Sequence, residues 1–229
     1  LPISLSLKDA GGNEVTHTTL ANSPSIYANT PTVSSASASP SDGTRKVGES
    51  VVVTLTASDS GLAAGAAAST INDIVVTSTF ASAGPSGDTS HLYRFTYTVA
   101  EGHTDRALNA LPISLSLQDA AGNEVTHTTT LTSSPSISAT TPTVSGASAD
   151  PSEGTRKVGQ SVTVTLTASE SGLSKGASGS TINGVDVEST FSASGSQYSF
   201  EYTVAEGHAE RALDALPISL SLKDNAGNE

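Results

Sequence analysis

Leu111-Pro112-Ile113-Ser114-Leu115-Ser116-Leu117-Gln118-Asp119-Ala120-Ala121-Gly122-Asn123 alternates apolar with small or polar residues and then breaks into an acidic, glycine-containing turn. Period-two alternation describes a strand with one face buried and the other toward water. The same Leu-Pro-Ile-Ser-Leu-Ser-Leu string stands at Leu1 to Leu7 and at Leu216 to Leu222, spaced by 110 and 105 residues. Each occurrence leads into an Asp-x-x-Gly-Asn-Glu turn, at Asp9 to Glu14, Asp119 to Glu124 and Asp224 to Glu229. A period that long is a whole domain rather than one turn of a solenoid, so the chain reads as a segment of a tandem array.

Aligning the chain with itself divides it into 1–27, 28–138 and 139–229. The first piece supplies the last two strands of a preceding unit, the second is a complete unit, and the third lacks its last strand. The offset between the two larger units is 111 residues from Pro31/Pro142 to Phe80/Phe191 and 105 from Val99/Val204 onward. The length change falls in the Gly-, Pro- and Ser-rich stretch 81–90, the composition of an exposed loop tip. Pro-punctuated linkers, Ser23 to Pro31 and Ser134 to Pro142, are short and stiff, which sets successive units end to end.

The two copies expose the strand faces. Val51, Val53, Leu55 and Ala57 return as Val162, Val164, Leu166 and Ala168, and Tyr93, Phe95, Tyr97 and Val99 return as Tyr198, Phe200, Tyr202 and Val204. The residues between them drift: Arg94 becomes Ser199 and Thr96 becomes Glu201. Ile74, Val76 and Phe80 behave in the same way. A first strand near Thr32 to Ala38 and a short one near Thr77 to Phe80 bring the expectation to about seven strands per unit, with one helical turn near Thr104 to Leu108. Seven alternating strands in such a length predict an all-β fold of tandem immunoglobulin-like sandwiches. Eight of the nine aromatics occupy paired inward positions and read as core; the exception is Tyr27, whose counterpart is Ser138.

Composition narrows the function. Twenty-two acids against ten Lys plus Arg give a net charge of −12, which disfavours nucleic acid and anionic membranes. There is no Cys, so neither disulfides nor thiol chemistry is available. No apolar run is long enough to span a bilayer, and neither end reads as a natural terminus. No Gly-x-Ser-x-Gly elbow, phosphate-cradling loop or His-Glu-x-x-His motif occurs, so no enzyme is predicted.

Lys46-Val47-Gly48-Glu49-Ser50-Val51, Tyr97-Thr98-Val99-Ala100-Glu101-Gly102 and Asp119-Ala120-Ala121-Gly122-Asn123, in that order, resemble the bacterial Ig-like tandem repeats of large cell-surface adhesins and biofilm-associated proteins. The resemblance implies extracellular extender modules that hold a distal binding region away from the cell, with joints often stiffened by calcium. The chain departs from the calcium-binding pattern at two places. Its linkers, Ala28-Asn29-Thr30-Pro31 and Ala139-Thr140-Thr141-Pro142, carry no acid, and His103 and His208 follow Glu-Gly where relatives often place Asp.

Acids present in both copies are the metal candidates. In this topology Asp119, Asp224, Asp59 and Glu170 fall at the upstream pole of their units, and Asp42, Glu153, Glu101, Glu206, Asp105 and Glu210 at the downstream pole. End-to-end stacking would bring Asp42, Glu101 and Asp105 toward Glu170 and Asp224, a set of oxygens suited to Ca2+. The competing reading is that Asp-x-x-Gly-Asn is simply a good tight turn. His17 and His127 stand in the last strand, His103 and His208 read as surface-loop residues, and Arg106 and Arg211 read as ion-pair partners of Asp105 and Glu210. Neighbouring repeats of the same chain are the expected partners. Residues 1–20 are either a piece of a continuous fibre or a strand that other copies accept in a filament. The alternative to a spacer is a glycan- or protein-binding module acting through 61–70 and 81–90; the small residues at Gly61 to Gly65 and the shorter second copy of 81–90 favour the spacer.

Overall fold

The computed structural model describes residues 2–82 and 91–229. An antiparallel hairpin comes first, β1 (Leu5–Lys8) with β2 (Glu14–His17). The first sandwich follows as β3 (Val33–Ser39), β4 (Thr44–Arg45), β5 (Ser50–Ala57), β6 (Ala63–Ala64), β7 (Thr70–Ile71), β8 (Ile74–Val75), β9 (Ala81–Ser82), β10 (Leu92–Thr98), β11 (Leu111–Gln118), β12 (Glu124–Leu131) and β13 (Ser136–Ile137). The second comprises β14 (Val144–Asp150), β15 (Ser161–Ala168), β16 (Ser174–Lys175), β17 (Thr181–Ile182), β18 (Val185–Asp186), β19 (Ser192–Ser194), β20 (Gln197–Thr203), β21 (Ile218–Ser219) and β22 (Leu222–Lys223).

In the first sandwich one sheet runs β3-β5-β10-β9, and the facing sheet runs β12-β11-β7-β8 with β6 also on β11. The second sandwich repeats the first of these as β14-β15-β20-β19. The predicted rows are the interior. Val51, Val53, Leu55, Phe95, Tyr97, Leu111, Leu115 and Leu117 are buried, with Ile71 and Ile113 filling the facing side. Val164, Leu166, Phe200 and Tyr202 do the same in the second core. Each such side chain stabilises the fold by about 1.5–3 kcal/mol. Phe80 lies edge-on to Phe95 at 5.5 Å and stacks on Tyr93 at 6.0 Å, and Phe191 repeats both contacts with Phe200 and Tyr198. Tyr27 is exposed. The fold is therefore all-β, built from sandwiches of the immunoglobulin-like kind.

Two local expectations are corrected. The segment after Val76 is a 3-10 turn, Thr77–Thr79, rather than a strand, repeated as Glu188–Thr190. Thr79 and Thr190 turn their hydroxyls back to the carbonyls of Val76 and Val187 at 2.7 Å, which closes the turn. The stretch 104–108 is not helical; Arg106 instead forms a β-bridge with Ile137. The loop at 81–90 lies outside the described residues from 83 onward, and Ser82 still pairs with Tyr93. The stretch 61–70 carries β6 and the start of β7, both paired to β11, and buries Leu62, while Gly61, Ala63, Ala66, Ala67 and Ala68 stay exposed.

β11 shows what its neighbour contributes. Ile113 is 2% exposed where β12 pairs along β11, while its counterpart Ile218 is 43% exposed. Among the described residues no strand pairs beside Ile218 in the place that β12 holds, and the row breaks into β21 and β22. The hairpin β1–β2 keeps the β11–β12 register, with Leu5 opposite His17 and Leu7 opposite Val15, as Leu115 faces His127 and Leu117 faces Val125.

Candidate joint between the two sandwiches

The linker after β12 is woven into the first sandwich rather than hanging from it. Ser136 N–H donates to Gly43 O at 2.9 Å and Ser138 N–H to Arg45 O at 2.9 Å on one side. On the other, Ile137 and Arg106 exchange backbone hydrogen bonds of 2.8 and 3.0 Å, and Gly102 N–H reaches Ala139 O at 2.9 Å. Ile137 and Ala139 are buried. Two acids secure the remaining amides: Ala139 N–H donates to Asp105 Oδ1 at 2.7 Å, and Thr141 gives Glu101 its N–H at 3.1 Å and its hydroxyl at 2.6 Å. The Thr141 bonds hold the Glu101 carboxyl below its usual value of 4.5.

The Asp-x-x-Gly-Asn turn is built alike at its three places. In the last, Asp224 Oδ1 accepts from Asn228 N–H and Oδ2 from Asn228 Nδ2, both at 2.8 Å, and Gly227 N–H closes onto Asp224 O at 3.2 Å. The tight-turn reading accounts for this geometry, since Gly227 takes a φ of +90° that other residues rarely adopt. Burial opposes ionisation of Asp224, but the bonds from Asn228, Gly227 and Ser138 outweigh it and lower the pKa from 3.8.

This turn meets the first sandwich. Lys46 Nζ donates to Gly227 O at 2.8 Å, and Val47 N–H donates to Asn228 Oδ1 at 2.9 Å. Asn228 Nδ2 reaches Ser138 O at 3.3 Å and its hydroxyl at 3.1 Å, and that hydroxyl lies 3.2 Å from Asp224 Oδ2. Asn228 is 4% exposed. One joint earlier, Asn123 Nδ2 donates to Tyr27 O at the same 3.3 Å.

The metal candidates are thus distributed as follows. Glu101, Asp105 and Asp224 gather along linker residues 138–141, each engaged by N–H or O–H donors. Asp119 caps its own turn through Asn123. Asp59 receives the Ser58 hydroxyl at 2.6 Å, and Asp42, Glu153, Glu170, Glu206 and Glu210 are exposed. No group of three or more His, Asp or Glu stands ready for a metal among the described residues.

Other expectations shift. Arg106 pairs with Asp73 at 2.6 Å rather than with Asp105, because its Nε is held by Asn72 Oδ1, also at 2.6 Å. Arg211 likewise bonds Asn183 Oδ1 at 2.7 Å rather than Glu210. His103 is not a free loop residue: it stacks on Tyr97, its Nδ1 accepts from Ala100 N–H at 3.1 Å, and the Tyr97 hydroxyl lies 3.0 Å from the same nitrogen. Asn72, in the left-handed region at φ 54°, donates to the Tyr97 hydroxyl at 2.9 Å and to Thr104 O at 2.8 Å. Asn183, Tyr202, His208 and Arg211 repeat the network. Identity at Asn72/Asn183 and at Lys46-Val47/Lys157-Val158 was the available signal for both the network and the joint.

No family model matches the chain, and no curated protein matches it. Among solved structures it is similar to one described as "Ca2+-stabilized adhesin helps an Antarctic bacterium reach out and bind ice", with 18% identity and a TM-score of 0.25. The alignment covers 96% of this chain and 55% of that one, so this chain spans about half its length. A superposition that loose fixes neither fold nor function. No helix among the described residues is long and apolar enough to cross a membrane.

Proposed function

We propose that this chain is a non-catalytic spacer from an extracellular adhesin or surface filament, with units at 28–138 and 139–229 behind the last strands of an earlier unit at 1–27. The observation that carries this reading is the pole-to-pole contact: Lys46 and Val47 at the downstream end of one sandwich hold Gly227 and Asn228 at the upstream end of the next. Sandwiches joined at their poles extend a chain, and each contacts only its neighbours, as in other repeat arrays. The linker supports the reading, since Ser136, Ile137, Ser138, Ala139 and Thr141 are all hydrogen-bonded to the sandwich they leave. The acidic surface supports it too, keeping a long array soluble.

Small-angle X-ray scattering of the 229-residue chain tests the proposal. The expected particle is elongated, as long as two sandwiches laid pole to pole. A compact particle with the sandwiches side by side would overturn it.

A further inference from the structure

We infer that the Lys46-Val47 loop and the Asp224–Asn228 turn are the two halves of a docking latch that sets the angle between successive sandwiches by direct hydrogen bonds, without a bridging cation. The inference rests on the spacer reading above and names the partner that each pole takes.

Three observations carry it. First, Asn228 is doubly used. It makes its own turn through N–H and Nδ2 to Asp224, and it spends Oδ1 on Val47 N–H and Nδ2 on Ser138. A turn that served only its own sandwich would leave those outward contacts to water. Second, the acids nearest the joint already have donors: Glu101 takes Thr141, Asp105 takes Ala139 N–H, and Asp224 takes Asn228 and Ser138. A divalent cation needs several such oxygens converging on one point, and here they are directed at linker and turn donors instead. Third, both larger units carry both halves. Lys157-Val158-Gly159 repeats Lys46-Val47-Gly48, and Gly12-Asn13 and Gly122-Asn123 repeat Gly227-Asn228. Val47 is half-buried beneath the turn it holds, whereas Val158 is 56% exposed. The Lys157-Val158 loop presents the same surface, and the chemistry that fits it is the carbonyl and side-chain amide of another Gly-Asn turn.

The experiment uses the absence of Cys, which lets Arg94→Cys and Glu201→Cys, one exposed strand position in each sandwich, carry a clean pair of spin labels. Double electron–electron resonance then reads the distance distribution across the joint. The expected result is one narrow peak, identical in EDTA and in excess calcium, and lost on Asn228→Ala. Lys46→Ala removes a single contact outside either core, so its broadening of the peak cannot be ascribed to misfolding. Asn123→Ala, which damages a turn without touching this joint, should lower thermal stability and leave the peak narrow. A broad peak in EDTA that sharpens with calcium, or a narrow peak surviving both Lys46→Ala and Asn228→Ala, would overturn the latch. An elongated particle with a broad peak would overturn the latch alone and leave the spacer standing.

Discussion

Lys46 and Gly227 lie 181 positions apart, and the Lys46 ammonium donates to the Gly227 carbonyl at 2.8 Å. Its neighbour Val47 N–H meets Asn228 Oδ1 at 2.9 Å, so two adjacent residues on one side grip two adjacent residues on the other. A charged donor on a carbonyl is worth about 1.5–3 kcal/mol, more than a neutral pair. The grip is small in area, and its specificity comes from direction.

The paired inward rows make a first prediction. Phe95 is fully buried and touches Phe80, whereas Arg94 beside it is exposed. Phe95→Ala should cost about 3–5 kcal/mol through lost transfer energy and a cavity. Arg94→Ala should stay within about 0.5 kcal/mol. Urea denaturation of the two variants reads the difference, and similar costs would mean that the rows do not face a common interior.

Gly65 tests the packing of β11. A Cβ added there would lie 1.9 Å from Ser116 Oγ and 2.5 Å from Glu124 Oε1. Gly65→Ala should therefore destabilise by about 1–3 kcal/mol, and adding Ser116→Gly should recover part of the loss. Gly176→Ala meets Ser221 in the same way, at 1.8 Å, and should behave alike. Additive losses in the Gly65/Ser116 pair would contradict the geometry.

Asn72 carries a third prediction. Asn72→Ala strands the Arg106 Nε and the Thr104 carbonyl and leaves the Tyr97 hydroxyl one partner short, a loss of about 1–3 kcal/mol. Ala at φ 54° adds about 1–2 kcal/mol of backbone strain. Asn72→Gly relieves that strain and keeps the hydrogen-bond loss, so it should fall between wild type and Asn72→Ala in thermal melts. Equal stability of the two variants would remove the backbone part of the account.

Much of this was legible in the sequence, and the reason is the internal copy. Where Val75 becomes Asp186 while Val76 stays Val187, the two faces of a strand separate without any structure, and Val76 and Val187 are indeed buried. The 3-10 turn at Thr77 reads as a strand in sequence because β-branched residues dominate it, and the hydroxyl back-bond of Thr79 leaves no periodicity to detect. Arg106 and His103 escape a sequence reading for a different reason. Arg106 meets Asn72, a turn residue 34 positions away, and His103 folds back onto the Tyr97 ring of β10, neither of which the adjacent Asp105 or Glu101 signals. The linker amides and hydroxyls that engage Glu101, Asp105 and Asp224 follow no spacing in the sequence, because they meet those acids only through the path of residues 138–141.

Acid makes the fourth prediction. Glu101 is held below 4.5 by Thr141, and Asp224 below 3.8 by its hydrogen bonds despite burial. Ser178 and Ser221 bring Glu229 down to about 2. A carboxyl whose pKa is depressed by folding contributes stability that is fully present above its unfolded value and disappears as pH falls through the folded one. The stability these carboxylates contribute should thus decline as pH falls below 4.5 and go on declining to about 2. Glu101→Gln should shallow the decline. Urea midpoints across that range check the sign, and a midpoint that rose on acidification would refute it.

Half of each bond in the grip between the sandwiches belongs to the peptide backbone: Val47 gives its amide and Gly227 its carbonyl. Because both larger units bring a matching Lys-Val and a matching Gly-Asn, gene duplication or loss of one whole unit regenerates the same pairing. Array length is then free to vary over generations with no compensating substitution at the junction, a freedom that unequal recombination between repeated segments would exploit.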